Sequence, residues 1–212
     1  MEIIDPAINE YLLAHCAPPD DVLSDLEAET RATAPNLQSS HYEGELLTMF
    51  IRLTGARKIV GVGVFTGYST LCMARGMPED GHILACEING RWADIAQKYW
   101  ARAGVADRIE LRIGPAAETL RALPLEPTLD LGYIGADKAG LHVYYEELLS
   151  RLRPGGVLVI GDALRGGHVV DATCQSEDVV AVRRLNDAIM RDERVDSILF
   201  PAGDGATIVR KR

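Results

Sequence analysis

The chain is short of positive charge, of paired cysteines and of long apolar runs. Its 22 Lys and Arg face 31 Asp and Glu, a net charge of -9. Phosphate backbones and anionic membrane surfaces need a basic face, so a general nucleic-acid or membrane partner is not expected. No apolar run approaches the ~20 residues that span a bilayer. The start, "MEIIDPAINE", lacks the basic residues and apolar core of a secretory leader. The four cysteines (Cys16, Cys72, Cys86 and Cys174) form no CxxC pair. Cys72 and Cys86 sit in apolar runs and read as buried free thiols, which points to a cytoplasmic protein. Repeats and low-complexity tracts are absent too, and 212 residues suffice for one domain.

What is present is a change of pattern near residue 56. Before it, three segments carry helical apolar spacing: "DPAINEYLLAH", "PPDDVLSDLEAETRAT" and "SSHYEGELLTMFIRLTG". They open on Asp-Pro, on acidic residues and on Ser39 or Ser40, as helix starts do, and the third stops at Gly55. Residues 1–55 are thus expected to form a helical cap. From residue 56 to 212, apolar strands such as "KIVGVGV", "GHILACEI", "LDLGYIG" and "VLVIGDA" alternate with helical segments. That alternation predicts a parallel sheet covered on both faces, a doubly wound α/β domain. "VDSILFPAGDGATIVRKR" predicts an antiparallel hairpin at the sheet edge. Trp92 and Trp100, eight apart, are expected on one packing face of their helix, and Tyr144 and Tyr145 in core and edge packing.

Open α/β sheets bind ligands at the carboxyl ends of their strands. This rule selects Gly63 to Ser69 (Tyr68 among them), Glu87, Gly114 to Ala116, Gly135 to Lys138, and Gly161 with Asp162. "VGVGVFTGYST" runs from a strand through a glycine-rich turn into a helix, where free N–H groups can meet a ligand. Glu87, at the end of the next strand, is placed to accept hydrogen bonds from ribose hydroxyls. Together they favour an adenosine-bearing ligand. Gly61, Gly63 and Gly67 read GxGxxxG, with Thr66 where a dinucleotide fingerprint has its third glycine, which counts against a nicotinamide-dependent oxidoreductase.

These stretches resemble the S-adenosylmethionine-dependent O-methyltransferases of the caffeoyl-CoA and catechol type, particularly the small bacterial members. "GVFTGYSTLCMA", "ACEINGRWADIAQKYWARAGVADRIELRIGPAAETL", "IGADK", "YYEELLSRLRPGG", "LRGG" and "DERVDSILFPAGDG" carry the resemblance, from about residue 36 onward. It implies a Rossmann-like class I methyltransferase fold with a mostly parallel seven-stranded sheet, S-adenosyl-L-methionine as cofactor, a small hydroxylated acceptor and a homodimer. It assigns the methionine part of the cofactor to Ser39 and to Gly63, Val64 and Ser69, the ribose to Glu87 and the adenine to Ala116. Gly61, Tyr68 and Gly135 complete the expected cofactor set. Lys138 falls where related enzymes place a general base, with His41 and Asp162 as further candidates.

The departures from the family pattern concern carboxylates. The resemblance implies an acidic residue at 61 and cation ligands at 135, 161 and 162, where this chain has Gly61, Gly135, Gly161 and Asp162. A hard divalent cation wants several oxygen ligands. One remaining carboxylate predicts a metal-independent enzyme or, as the alternative, a non-catalytic relative that keeps the fold to bind a cofactor or a partner.

Overall fold

The computed structural model describes residues 4–34 and 41–212. Three helices come first: α1 (Pro6–Ala14), α2 (Asp21–Thr33) and α3 (His41–Thr54). Asp5 caps α1 by accepting from the Ala7 amide, with Pro6 in its first turn, and Asp20 caps α2 by accepting from Leu23. Seven strands and five helices follow: β1 (Lys58–Val62), α4 (Tyr68–Gly76), β2 (His82–Glu87), α5 (Gly90–Arg102), β3 (Ile109–Ile113), α6 (Ala116–Ala122), β4 (Leu129–Ile134), α7 (Leu141–Arg151), β5 (Leu152–Ile160), α8 (Glu177–Met190), β6 (Val195–Phe200) and β7 (Ala206–Lys211).

The strands order as β3-β2-β1-β4-β5-β7-β6. The first five are parallel, and β7 and β6 close one edge as an antiparallel pair. The expected doubly wound sheet with its terminal hairpin is therefore present.

Side chains alternate across the sheet, as a pleated strand requires. Ile59, Ile83, Ala85, Leu131 and Tyr133 face one core, shared with Leu26, Ile51, Leu71 and Trp100 of α2 to α5. Val60, Val62, Leu84, Ile134 and Leu158 face the other, shared with Leu120, Leu148 and Leu185 of α6 to α8. Cys72 and Cys86 are buried and unpaired. Burial pushes their thiols up, to about 12 and about 11 respectively.

Two local expectations change. Arg153 to Gly156, which precede the expected strand "VLVIGDA", belong to β5 as well, because Leu152 pairs with Leu129 ahead of a register shift and Arg153 binds Asp130 at 2.7 Å. The two tryptophans do not share a face. Eight residues advance a helix by about 800°, roughly 80° out of phase. Trp100 is buried, with Nε1 donating to the Gly67 carbonyl, whereas Trp92 lines a cavity.

Candidate active site

The ends of β1, β2, β4 and β5 open onto a cavity of about 750 Å³. Its wall begins with the loop after β1. Gly63 and Gly67 both have left-handed backbones, with φ of 90° and 91°. A Cβ on Gly63 would stand 2.8 Å from the backbone of Gly135 and Ala136. On Gly67 it would stand 2.7 Å from the Ala96 methyl and 2.8 Å from Trp100. The glycines thus let the β1 loop lie against the β4 tip on one side and α5 on the other.

Glu87 organises that loop. Its Oε2 accepts from the amides of Val64 (3.0 Å) and Phe65 (2.7 Å), and its Oε1 from Asn89 (2.9 Å). The carboxylate is 6% exposed and still lines the cavity. Each carboxylate oxygen has further lone pairs, so Glu87 can hold the loop and accept ligand hydroxyls together. Phe65 pays with a left-handed backbone, φ 52°. Such strain in a bulky residue is characteristic of functional loops. Its ring meets Trp92 edge-on at 4.7 Å, and both line the cavity with Ile88 and Ala116. This apolar wall suits a flat heterocycle.

The opposite end is polar. Lys138 is 4% exposed, and its Nζ donates to Asp162 Oδ2 at 2.8 Å and to the Ala136 carbonyl at 3.2 Å. Among the described residues these bonds engage two of the three ammonium hydrogens, leaving one for a ligand. Asp162 is half-exposed on a left-handed backbone, φ 54°. Asp137 accepts from Tyr144 Oη at 2.7 Å and from the Gly140 amide, fixing the turn into α7. Burial first, then this bond to a carboxylate, raises the Tyr144 phenol above its ordinary range. Asp204, also raised by burial, has the Asp162 charge nearby.

Of the site residues expected from sequence, Gly63, Glu87, Ala116, Gly135, Lys138 and Asp162 line this cavity. Val64 contributes its amide to Glu87. Ser69 is buried in the first turn of α4. The cavity wall does not include Gly61, His41 or Tyr68. A Cβ on Gly61 would meet the Met73 methyl at 3.4 Å, under α4. His41 is held by Tyr68 Oη at Nδ1 (2.8 Å) and by the Ala17 carbonyl at Nε2 (2.6 Å), so this pair ties the cap to α4. Ser39 lies outside the described residues. Phe65 lies inside the stretch Gly63 to Ser69 that the strand-end rule selected, without a role of its own there, whereas Trp92 and Tyr144 were expected in packing and line the cavity instead; helix phase separates Trp92 from Trp100.

The donor set does not fit a hard divalent cation. Gly135 and Gly161 offer no side chain at the β4 and β5 tips, and the one carboxylate, Asp162, is already paired with Lys138. No group of three His, Cys, Asp or Glu among the described residues could hold a metal ion. The cavity carries Glu87, Asp137, Asp162 and Asp178 against Lys138 and Arg165, an acidic excess that favours a cationic ligand over a pyrophosphate.

Residues 14–212 match the model of the family described as O-methyltransferase. The chain belongs to that family. The most similar curated relatives include "Probable caffeoyl-CoA O-methyltransferase 2" of Dictyostelium discoideum, 35% identical over 213 residues, covering 96% of this chain and 92% of that one. Among solved structures, the O-methyltransferase TomG of Streptomyces achromogenes, involved in tomaymycin synthesis and in complex with SAM, superposes with a TM-score of 0.87 at 30% identity, covering 97% and 96% of the two chains. The O-methyltransferase of Bacillus cereus in complex with SAH gives 0.88 at 30% identity, covering 97% of each. The family is that of the S-adenosylmethionine-dependent O-methyltransferases of the caffeoyl-CoA type, and no relative supports the non-catalytic alternative.

Proposed function

We propose that the protein transfers the methyl group of S-adenosyl-L-methionine to a hydroxyl of a small acceptor without a divalent cation. The observation that carries this reading is the pair of glycine tips at the polar end of the cavity, with the Lys138–Asp162 ion pair as the charged group beside them. The nucleoside lies along the Phe65, Trp92 and Ala116 wall with its ribose on Glu87, which puts the sulfonium toward Gly63 and the acceptor against Lys138 and Asp162.

Methyl transfer asks little covalent help of a protein, because the sulfonium is an activated donor. The site has to bring the acceptor oxygen in line with the methyl carbon, at roughly 3–3.5 Å. A phenol has a pKa near 10 and is protonated at neutral pH, so a group must take its proton. Asp162 is the carboxylate within reach of the acceptor end, and its exposure gives the proton a route to water. The unused N–H of Lys138 stabilises the developing oxyanion. In this reading Lys138 acts as a donor to the acceptor oxygen, while His41 keeps its structural bonds.

Residues 1–212 form one methyltransferase domain, in which 1–55 cap the cofactor-binding α/β core, 56–212, and the protein is a cytoplasmic homodimer. Support for the dimer comes from α1, which buries none of its residues and exposes Ile8 by 56% and Tyr11 by 64%, three residues apart on one helix. Exposed apolar clusters of this kind mark interaction surfaces. No described helix is long and apolar enough to cross a membrane.

Calorimetric titration with S-adenosylhomocysteine and methyl-transfer assays on hydroxylated acceptors, with and without EDTA, test the reading. Binding and turnover unchanged by EDTA are expected. Failure to bind the cofactor at millimolar concentration, or activity that EDTA removes and magnesium restores, overturns it.

A further inference from the structure

Arg165 lines the cavity with Lys138 and Asp162, and most of its donors are unspent. A guanidinium carries five N–H donors in a fixed fork. Among the described residues Arg165 makes one hydrogen bond, from Nη2 to Asp178 Oδ2 at 3.0 Å. Its Nε is buried without a partner. Arg183, in contrast, binds the carbonyls of His168, Val169, Asp171 and Cys174 through all of its nitrogens. Arg151 also has an unpartnered Nε, but its other nitrogens bind Glu147 and the Leu123 carbonyl, and it does not line the cavity. The backbone holds Arg165 in place against its preference. Its φ is 48°, left-handed, and Gly166 and Gly167 follow at 62° and 82°. Bonds on both sides fix this turn. The Ala163 amide donates to the Gly205 carbonyl at 3.0 Å, Leu164 to the Asp204 carbonyl at 2.9 Å and Gly166 to Asp204 Oδ1 at 2.5 Å. Strain of this kind persists only where the surroundings enforce it, and it clusters at ligand sites. The charges of Asp162, Arg165 and Lys138 all act on Asp204, so the guanidinium belongs to the polar end of the cavity.

Resting on the methyl-transfer reading above, the geometry points to Arg165 as the residue that selects the acceptor, and to a hydroxylated acid with a free carboxylate as the acceptor class. The planar guanidinium matches the two oxygens of a carboxylate with parallel N–H bonds. Nη1 keeps both of its hydrogens and Nη2 keeps one, enough for such a pair. Charge sets the limit on the anion. At this end of the cavity Lys138 and Arg165 balance Asp162 and Asp178. One added negative charge is offset by the sulfonium of the methyl donor, whereas a doubly charged phosphate leaves an excess that the neighbouring carboxylates repel. The acceptor's hydroxyl reacts and its carboxylate does not. The hydroxyl proton goes to Asp162 and from there to water. An oxygen lone pair forms the new bond to the methyl carbon, and the carbon–sulfur pair returns to sulfur. The products are S-adenosylhomocysteine and a methyl ether that keeps its acid group on Arg165.

The probes are 4-hydroxybenzoate, 4-hydroxyphenylacetate and 4-hydroxycinnamate, each beside its methyl ester, titrated calorimetrically into the protein saturated with S-adenosylhomocysteine. At least one acid is expected to bind about tenfold or more tightly than its ester, the scale of a hydrogen bond between charged groups. Arg165→Gln is expected to bring that ratio below about threefold, since it removes the charge and the fork. Asp178→Asn, which frees the guanidinium from its ion pair, is expected to raise the ratio. The two shifts are opposite in sign, so a folding defect does not imitate them, and S-adenosylhomocysteine binding reports on the fold of each variant. With S-adenosylmethionine labelled in its methyl group, the labelled product of the acid is expected to be the ether. No acid binding more tightly than its ester, a ratio that Arg165→Gln leaves intact or Asp178→Asn fails to raise, or a methyl ester as product overturns the assignment. Absence of S-adenosylhomocysteine binding by the wild type instead overturns the cofactor reading on which it rests.

Discussion

Glu87→Gln is the most informative single change to the loop after β1, proposed above to hold the cofactor. The carboxylate accepts three amide hydrogens, from Val64, Phe65 and Asn89, while 6% exposed. An amide of the same shape can turn its oxygen to Val64 and Phe65, but its NH2 group then faces the Asn89 N–H, donor against donor. Turned the other way it loses two bonds in place of one. Hydrogen bonds to a charged acceptor contribute about 1.5–3 kcal/mol each, and a buried unsatisfied amide costs about 1–3 kcal/mol. A total loss of about 2–4 kcal/mol follows for the better orientation, shared between the folded state and the bound state. For a chain of this length, 1 kcal/mol lowers Tm by roughly 2–4 °C. Scanning calorimetry should therefore find Tm lower by about 2–8 °C if half of the loss falls on folding. Calorimetric titration should find S-adenosylhomocysteine binding weaker by about five- to thirtyfold from the other half, since each 1.4 kcal/mol is a factor of ten. A Tm within 1 °C of wild type, about the precision of the scan, together with affinity within twofold, would refute the claim that this carboxylate organises the site.

Gly63→Ala places a methyl group 2.8 Å from the backbone of Gly135 and Ala136 at φ 90°, so the β1 loop must withdraw from the β4 tip. Near-complete loss of cofactor binding, with a Tm drop of several degrees, is expected by the same two measurements; near-normal affinity would show that the contact is slack. Asp192 is held below the ordinary carboxylate range by its bonds to Arg194, aided by the Tyr145 hydroxyl at 2.8 Å. Because its folded pKa is depressed, its stabilisation is complete above about pH 4, the unfolded value, and fades as pH falls toward the folded one. Urea unfolding at pH 7 should show Asp192→Asn less stable by about 2 kcal/mol, the gap narrowing below pH 4; a gap independent of pH would contradict the assignment.

Much of the fold was legible because it rests on local patterns. Apolar runs of strand length between helical segments specify a sheet covered on both faces, and the hairpin follows from two strands close in sequence. The strand "VLVIGDA" was expected to begin later than β5 does, because Arg153-Pro154-Gly155-Gly156 has turn chemistry and only its pairing beside β4 and Asp130 makes it strand. At the site, the glycine-rich loop and Glu87 were readable because strand ends in such sheets gather at one rim. Trp92 was misplaced for want of its helix phase.

By itself, then, the sequence determined the α/β architecture, the glycine-rich loop after the first strand, the family and the absence of carboxylates at two strand tips, all of which are properties of short segments. Only the tertiary structure decided what occupies those tips. Whether Lys138 meets Asp162, 24 residues away, depends on the lateral register of β4 against β5. That register is set by packing between crossover helices, and no local periodicity encodes it.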